Sequence, residues 1–189
     1  MRVGVLALQG DVREHVAILG RLGAETAEIR RPEDLEDLDG LILPGGESTT
    51  IGKLATLYGL VEPLEKVIAA GLPTYGTCAG LILLAEALTE GEQPLIGVLD
   101  VVAHRNAFGN QNQSFEVDLD IVGLEEPFRA VFIRAPWVAE VGDGVEVLAR
   151  WAEHPVMVRQ GHIMASAFHP ELTADGRIHQ MLLDMIEES

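Results

Sequence analysis

The chain has 189 residues, 48% of them hydrophobic, and a formal charge of −17 from 30 acidic against 13 basic side chains. That content predicts one domain, spanning 1–189, with a buried core and excludes a disordered chain, while the acidity and the lack of any basic cluster speak against a nucleic-acid partner. No apolar run approaches the roughly 18 residues of a membrane span, the start at Met1-Arg2-Val3 does not read as a signal peptide, and a single cysteine leaves no internal disulfide and fits a reducing cytoplasm.

Val3 to Leu8 is a near-continuous apolar run of strand length, the pattern of a buried parallel strand. Gln9-Gly10-Asp11 ends it, and Asp11 is placed to cap a helix in which Val12, Val16 and Leu19 recur at helical spacing before Gly23. Ala24 to Ile29 predicts a second strand, Pro32 to Leu38 an acidic turn or short helix, and Gly40 to Leu43 a third strand. The loop Pro44-Gly45-Gly46-Glu47-Ser48-Thr49 follows, with Ser48 or Thr49 as the expected cap of a helix reaching about Tyr58. A further helix covers Val61 to Ala70 and stops at Gly71.

Thr74 to Gly76 is a short strand that runs into Gly76-Thr77-Cys78-Ala79-Gly80, and Leu81 to Ala85 is helical in character. A strand, a sharp glycine-flanked turn and a helix describe a nucleophile elbow, with the thiol at its tip. The second half differs. Leu99 to Ala103, Phe115 to Leu119, Ala130 to Ile133, Val145 to Trp151, Val156 to Val158 and Ile163 to Phe168 predict short strands. A closing helix carries Ile178, Met181, Leu182, Met185 and Ile186 on one face. The fold class is therefore α/β, a three-layer domain with a mostly parallel mixed sheet. Sites in such sheets lie at the carboxyl ends of strands, where the loops at Gln9, Pro44 and Cys78 should converge.

Cysteine attacks as thiolate, and at its free pKa of about 8.5 little is ionised at neutral pH, so Cys78 needs a base. His169 is the candidate. Glu171 lies two residues on, so in an extended segment both side chains share a face, and Pro170 favours that extension. The carboxylate then holds one ring nitrogen while the other faces sulfur. His15, His104, His154 and His179 read as solvated or cap positions, and His162 with His169 is too little for a metal, so no metal is expected. An oxyanion needs two aimed donors. The Ala79 amide is one candidate and an amide in Gly45-Gly46, that of Gly46, is the other, although a Pro-Gly-Gly loop alone also fits a plain turn. The residues thus point to Cys-His-Glu acyl transfer and leave the substrate open.

The strings Leu43-Pro44-Gly45-Gly46-Glu47-Ser48-Thr49, Gly76-Thr77-Cys78-Ala79-Gly80 and Phe168-His169-Pro170-Glu171 resemble those of the class I, triad-type glutamine amidotransferases. Leu8-Gln9-Gly10, Arg105-Asn106 with Phe108-Gly109, and Phe132-Ile133-Arg134-Ala135-Pro136 resemble more particularly the glutaminase subunits of pyridoxal 5′-phosphate synthase, and the likeness runs from Leu8 to Leu172. The resemblance implies hydrolysis of L-glutamine to glutamate and ammonia through a γ-glutamyl thioester on Cys78, with His169 as base and Glu171 as its orienter. It also implies delivery of the ammonia to a separate synthase subunit, with no cofactor bound by this chain. By the same analogy Gly46, Glu47, Ser48, Arg105, Ile133 and Arg134 contact glutamine. Glu47 would accept the α-ammonium, and Arg105 and Arg134 suit the α-carboxylate. The glutaminase of histidine biosynthesis, or a cysteine redox or stress protein of similar fold, are the alternatives. The former lacks the Arg105-Asn106 and Phe132 to Pro136 strings, and the latter has no need of a His-Pro-Glu unit.

Overall fold

The computed structural model describes residues 1–105, 107 and 114–189, so the expected Asn106, Phe108 and Gly109 contributions lie outside the described residues. In chain order the elements are β1 (Arg2–Leu6), α1 (Val12–Arg21), β2 (Glu25–Ile29), a 3₁₀ turn (Pro32–Leu35), β3 (Gly40–Leu43), α2 (Ser48–Leu57) and α3 (Val61–Ala69). Then come β4 (Thr74–Thr77), α4 (Ala79–Leu84), β5 (Ala85–Leu88), β6 (Leu99–His104), β7 (Ser114–Leu119) and β8 (Phe128–Ile133). The chain closes with β9 (Trp137–Val141), β10 (Glu146–Trp151), β11 (His154–Gln160), β12 (Ile163–Ser166), a second 3₁₀ turn (Pro170–Leu172) and α5 (Arg177–Glu187).

The main sheet runs β10-β11-β12-β4-β3-β1-β2. From β12 to β2 every pairing is parallel, and the β10 and β11 pairings are antiparallel, which makes the sheet mixed and mostly parallel. Its central strands are buried on both faces, as a sheet covered on both sides requires: all of β3, β4 and β12 is buried. The path from β1 to β2 leads one way along the sheet and the path from β3 to β4 leads the other. Right-handed crossovers therefore put α1 and the α2–α3 pair on opposite faces. α5 joins α1, since His179 on α5 and His15 on α1 lie with ring centroids 5.1 Å apart. The reversal falls between β1 and β3, and the loops leaving those two strands flank the crevice where α/β sheets hold ligands.

The second half builds two smaller layers, β5-β6-β9 and the antiparallel ribbon β7-β8. β5 and β9 are additions to the expected strands. Ala85 starts β5 and is the C-cap of α4, not part of its body. Glu47 caps α2 in place of Ser48 or Thr49: its carboxylate accepts from the Thr49 amide at 3.2 Å and the Thr50 amide at 2.7 Å. Asp11 occupies the cap position of α1 but makes no side-chain cap bond, because its carboxylate is turned elsewhere. His154-Pro155 opens β11, where the His154 ring stacks on Trp137 at 3.6 Å. Among the described residues no helix is long and apolar enough to cross a membrane.

Candidate active site

Cys78 joins β4 to α4 with φ 48° and ψ −97°, a left-handed conformation that a non-glycine residue holds only when its surroundings over-determine it. They do. A Cβ on Gly76 would come within 2.7 Å of the Gly80 carbonyl carbon, and one on Gly80 would run into the Leu43 carbonyl oxygen of β3. Each glycine of Gly-x-Cys-x-Gly is thus a close backbone approach. The Cys78 amide donates to the Ser166 carbonyl at 2.8 Å, tying the turn to β12. The residue is 6% exposed, and its Sγ lies 4.0 Å from the Ile133 carbonyl oxygen.

β12 also delivers the candidate base. His169 leaves its end, and the His169 amide donates to the Val131 carbonyl of β8 at 2.8 Å. Its Nδ1 stands 2.7 Å from Glu171 Oε1 and 3.3 Å from Asp11 Oδ2. Two carboxylates facing one nitrogen place a proton on Nδ1 and leave Nε2 for Cys78. The contact with Glu171 forms at the start of a 3₁₀ turn, with His169 at φ −108° and ψ 85°, where an extended segment was expected. Burial alone would lower the imidazole, but Asp11, Cys78 and Glu171 beside it hold it up to about 12. Burial raises the carboxyl of Glu171, against the hydrogen bond from His169 that favours its charge.

Cys78 and His169 open on a cavity of about 350 Å³. Gly46, Glu47, Ser48, Arg105, Ile133 and Arg134 line it as well, so every described residue expected to meet glutamine is on one wall or another. Glu171 is behind His169, and Ala79 is the buried first residue of α4. Thr50 first, then the amides of Thr49 and Thr50, hold the Glu47 carboxyl below the usual range, so it is anionic at neutral pH. Arg105 Nη2 approaches it to 3.8 Å. A hollow of about 450 Å³ beside Asp118, Arg150 and Trp151 is lined by no cysteine, serine or histidine.

The Gly45-Gly46 loop is fastened to the β1 loop. The Asp11 amide donates to the Gly45 carbonyl at 3.1 Å and the Glu47 amide to Gln9 Oε1 at 2.8 Å. Gly45 packs so closely on the His169 ring that a Cβ there would overlap the imidazole. Asp11, His169 and Glu171 also form the one group, among the described residues, whose ligand atoms fall within 4.8 Å of one another as a metal would need. The 2.7 Å contact inside it is a hydrogen-bond length, already filled by a proton.

Reading by motif missed Asp11 as a partner of His169, and Gln9, Ile82 and Leu172 as cavity walls. It also misplaced two histidines. His15 and His179 are fully buried, with His15 Nδ1 2.8 Å from His179 Nε2. Helical spacing carried the signal: His15 shares the face of Val12 and Leu19, and His179 that of Leu182 and Leu183. His104 lies half-buried over Trp137 at 5.3 Å.

Burial pushes His179 down to about 4. The unfolded chain therefore takes up that proton first as pH falls below 6.5, and stability drops until about 4, then levels. This one side chain should remove about 3 kcal/mol over that window. Urea unfolding at pH 7, 5.5 and 4.5 measures it, and His179→Phe should flatten the curve. An unchanged slope in that variant would refute the assignment.

A model of the SNO glutamine amidotransferase family matches residues 5–188. The pyridoxal 5′-phosphate synthase subunit PdxT of Frankia alni is 59% identical over 100% of this chain and 96% of its own. The protein of the same name from Pelotomaculum thermopropionicum is 59% identical over 97% and 94%. A solved structure described as a glutamine amidotransferase superposes with a TM-score of 0.94 at 55% identity, covering 98% of both chains. With the elbow cysteine, the His-Glu pair and the cavity between the β1 and β3 loops in place, these matches leave one conclusion: the chain belongs to the SNO glutamine amidotransferase family.

Proposed function

We propose that the chain is the glutaminase subunit of a pyridoxal 5′-phosphate synthase, working in the cytoplasm beside a separate synthase subunit. The relatives that bear that name cover 97% to 100% of the chain. The observation that carries the catalytic assignment is His169 held at 2.7 Å by Glu171 in the cavity that Cys78 enters.

With the shared proton already on His169, which its neighbours hold up to about 12, the Cys78 sulfur attacks the side-chain amide carbon of L-glutamine. The proton stays on the imidazole, because Asp11 and Glu171 favour the charged ring, until the departing nitrogen takes it as the tetrahedral intermediate collapses. Ammonia leaves and a γ-glutamyl thioester remains. His169 then draws a proton from water, which attacks the thioester and releases glutamate and the free thiol. The Ala79 amide and the amide of Gly46 are the assigned oxyanion donors. Glu47, anionic under its three hydrogen bonds, receives the α-ammonium of glutamine, framed by Gly46 and Ser48. Arg105, Arg134 and Ile133 complete the substrate wall.

A conditional oxyanion hole follows from the loop. The Gly45 carbonyl is engaged by Asp11, which fixes the peptide whose far side carries the Gly46 amide. Docking of the synthase subunit is assigned the role of re-aiming that peptide. Ammonia release from glutamine should therefore be low for the isolated chain and rise by about 100-fold on adding the synthase subunit, the worth of one oxyanion donor. Equal rates with and without the partner would refute the conditional hole. No glutamine hydrolysis in either case would refute the function.

A further inference from the structure

Behind Glu171 is a buried side-chain chain that the triad does not use. Glu171 Oε1 is taken by His169, while Oε2 is buried and has no hydrogen-bond partner among the described residues. His15 Nε2 stands 3.6 Å from it and is itself 3.4 Å from Thr77 Oγ1. His15 Nδ1 then meets His179 Nε2 at 2.8 Å, and His179 Nδ1 is buried without a partner among the described residues. α1 supplies His15 and α5 supplies His179, so the two helices of one sheet face meet at this point.

The orphan atoms decide which way the protons point. If His15 donated from Nδ1, its bare Nε2 would face a carboxylate oxygen, lone pair to lone pair, and His179 would bury an unpaired N–H on Nδ1. If His179 donates from Nε2, His15 carries its proton on Nε2, aimed at Glu171 and Thr77, and only an acceptor nitrogen on His179 stays unpaired. An unmet donor facing nothing and an ion facing a lone pair both cost more than one idle acceptor. We infer that His15, held by His179 in the tautomer protonated at Nε2, is a positioning residue that directs an N–H dipole at the second oxygen of Glu171 and so fixes the carboxylate that orients His169.

At 3.6 Å the contact is longer than a hydrogen bond and acts as a charge–dipole attraction in a site closed to water. It opposes the burial that would neutralise Glu171. The other titratable groups facing this chain are Asp11 and Tyr75 toward Glu171, and Arg21 toward His179. Tyr75 is committed elsewhere, its hydroxyl 2.7 Å from Ser166 Oγ, which donates onward to the Phe168 carbonyl. His15 is thus the neutral donor on this side of the carboxylate, and burial with His179 and His169 nearby keeps it neutral.

The inference rests on the triad assignment, and the test separates the two. Glutaminase activity of the chain with its synthase subunit is measured as kcat and KM from pH 5.5 to 10 for the parent, His15→Leu, His15→Asn and His15→Gln. A glutamine amide nitrogen reaches the Nε2 position and an asparagine amide reaches only the Nδ1 position. His15→Leu and His15→Asn should lower kcat about tenfold, the scale of one contact to a charged group, with KM unchanged. Their pH profile should narrow, because Glu171 protonates at higher pH and His169 loses its proton at lower pH. His15→Gln should restore most of kcat and of the width. His179→Leu, which leaves His15 in place and frees its tautomer, should narrow the profile too. Parental profiles in all four variants, or Gln and Asn equally impaired in step with melting temperature, overturn the inference. Ammonia release that survives Cys78→Ala overturns the triad itself, whereas release that needs Cys78 but ignores His15 overturns only this inference.

Discussion

Replacing Cys78 with alanine should cut glutamine turnover by on the order of 10⁴-fold or more, the scale of losing a nucleophile from a catalytic unit. The fold should survive. The sulfur's contacts are with the Ile133 carbonyl at 4.0 Å and with His169, neither of which the elbow depends on, and the bond that ties the turn to β12 uses the Cys78 amide, which alanine keeps. Alanine accepts φ 48° no worse than cysteine does, and the glycine contacts at Gly76 and Gly80 are untouched. Ammonia release in the presence of the synthase subunit gives the rate, and co-migration of the two subunits gives the docking. Residual turnover within a hundredfold of the parent, in a preparation free of other glutaminases, would remove Cys78 from the mechanism.

Glu171→Gln is the second large effect. The side chain keeps its shape but not its charge, and an amide can present its own N–H to His169 Nδ1, turning the imidazole to the wrong tautomer. The loss should be about 10³- to 10⁴-fold in kcat with glutamine KM little changed. His169 would lose a carboxylate that helps to hold it up to about 12, so the alkaline limb of the pH profile should move to lower pH. Asp11 stands farther from the same nitrogen, 3.3 Å against 2.7 Å, and is a third exposed, so Asp11→Asn should cost less. A Glu171→Gln loss below tenfold would show that Asp11 carries the orientation.

The site was legible where a loop follows a strand and poorly legible where contact is tertiary. The elbow, the Gly45-Gly46 loop and His169-Pro170-Glu171 each sit in a short string whose glycines and proline mark backbone need, and the structure brings all three to one cavity. Ala85 to Leu88 reads Ala-Glu-Ala-Leu, with no strand propensity of its own, and becomes β5 only by pairing with β6. Trp137 to Val141 becomes β9 through the same neighbour, across more than thirty positions of sequence. Glu47 took the cap from Ser48 and Thr49 because a carboxylate satisfies two amides and a hydroxyl at once. His15 and His179 are one buried unit split by 164 positions, and no local pattern pairs them.

The order of strands in the main sheet has a consequence for the birth of the enzyme. β4, which leads into Cys78, pairs on one side with β3 and on the other with β12, whose residues are made nearly ninety positions later. Until Ile163 to Ser166 has left the ribosome, β4 is an open edge, its row of amides and carbonyls unanswered and its thiol without a base. A nascent chain is therefore chemically silent and at the same time adhesive, since an unpaired apolar edge recruits other strands. One late strand ends both conditions together: it closes the edge, takes the Cys78 amide on Ser166 and brings His169 with it. The site's assembly and protection from aggregation thus arrive in a single synthetic step.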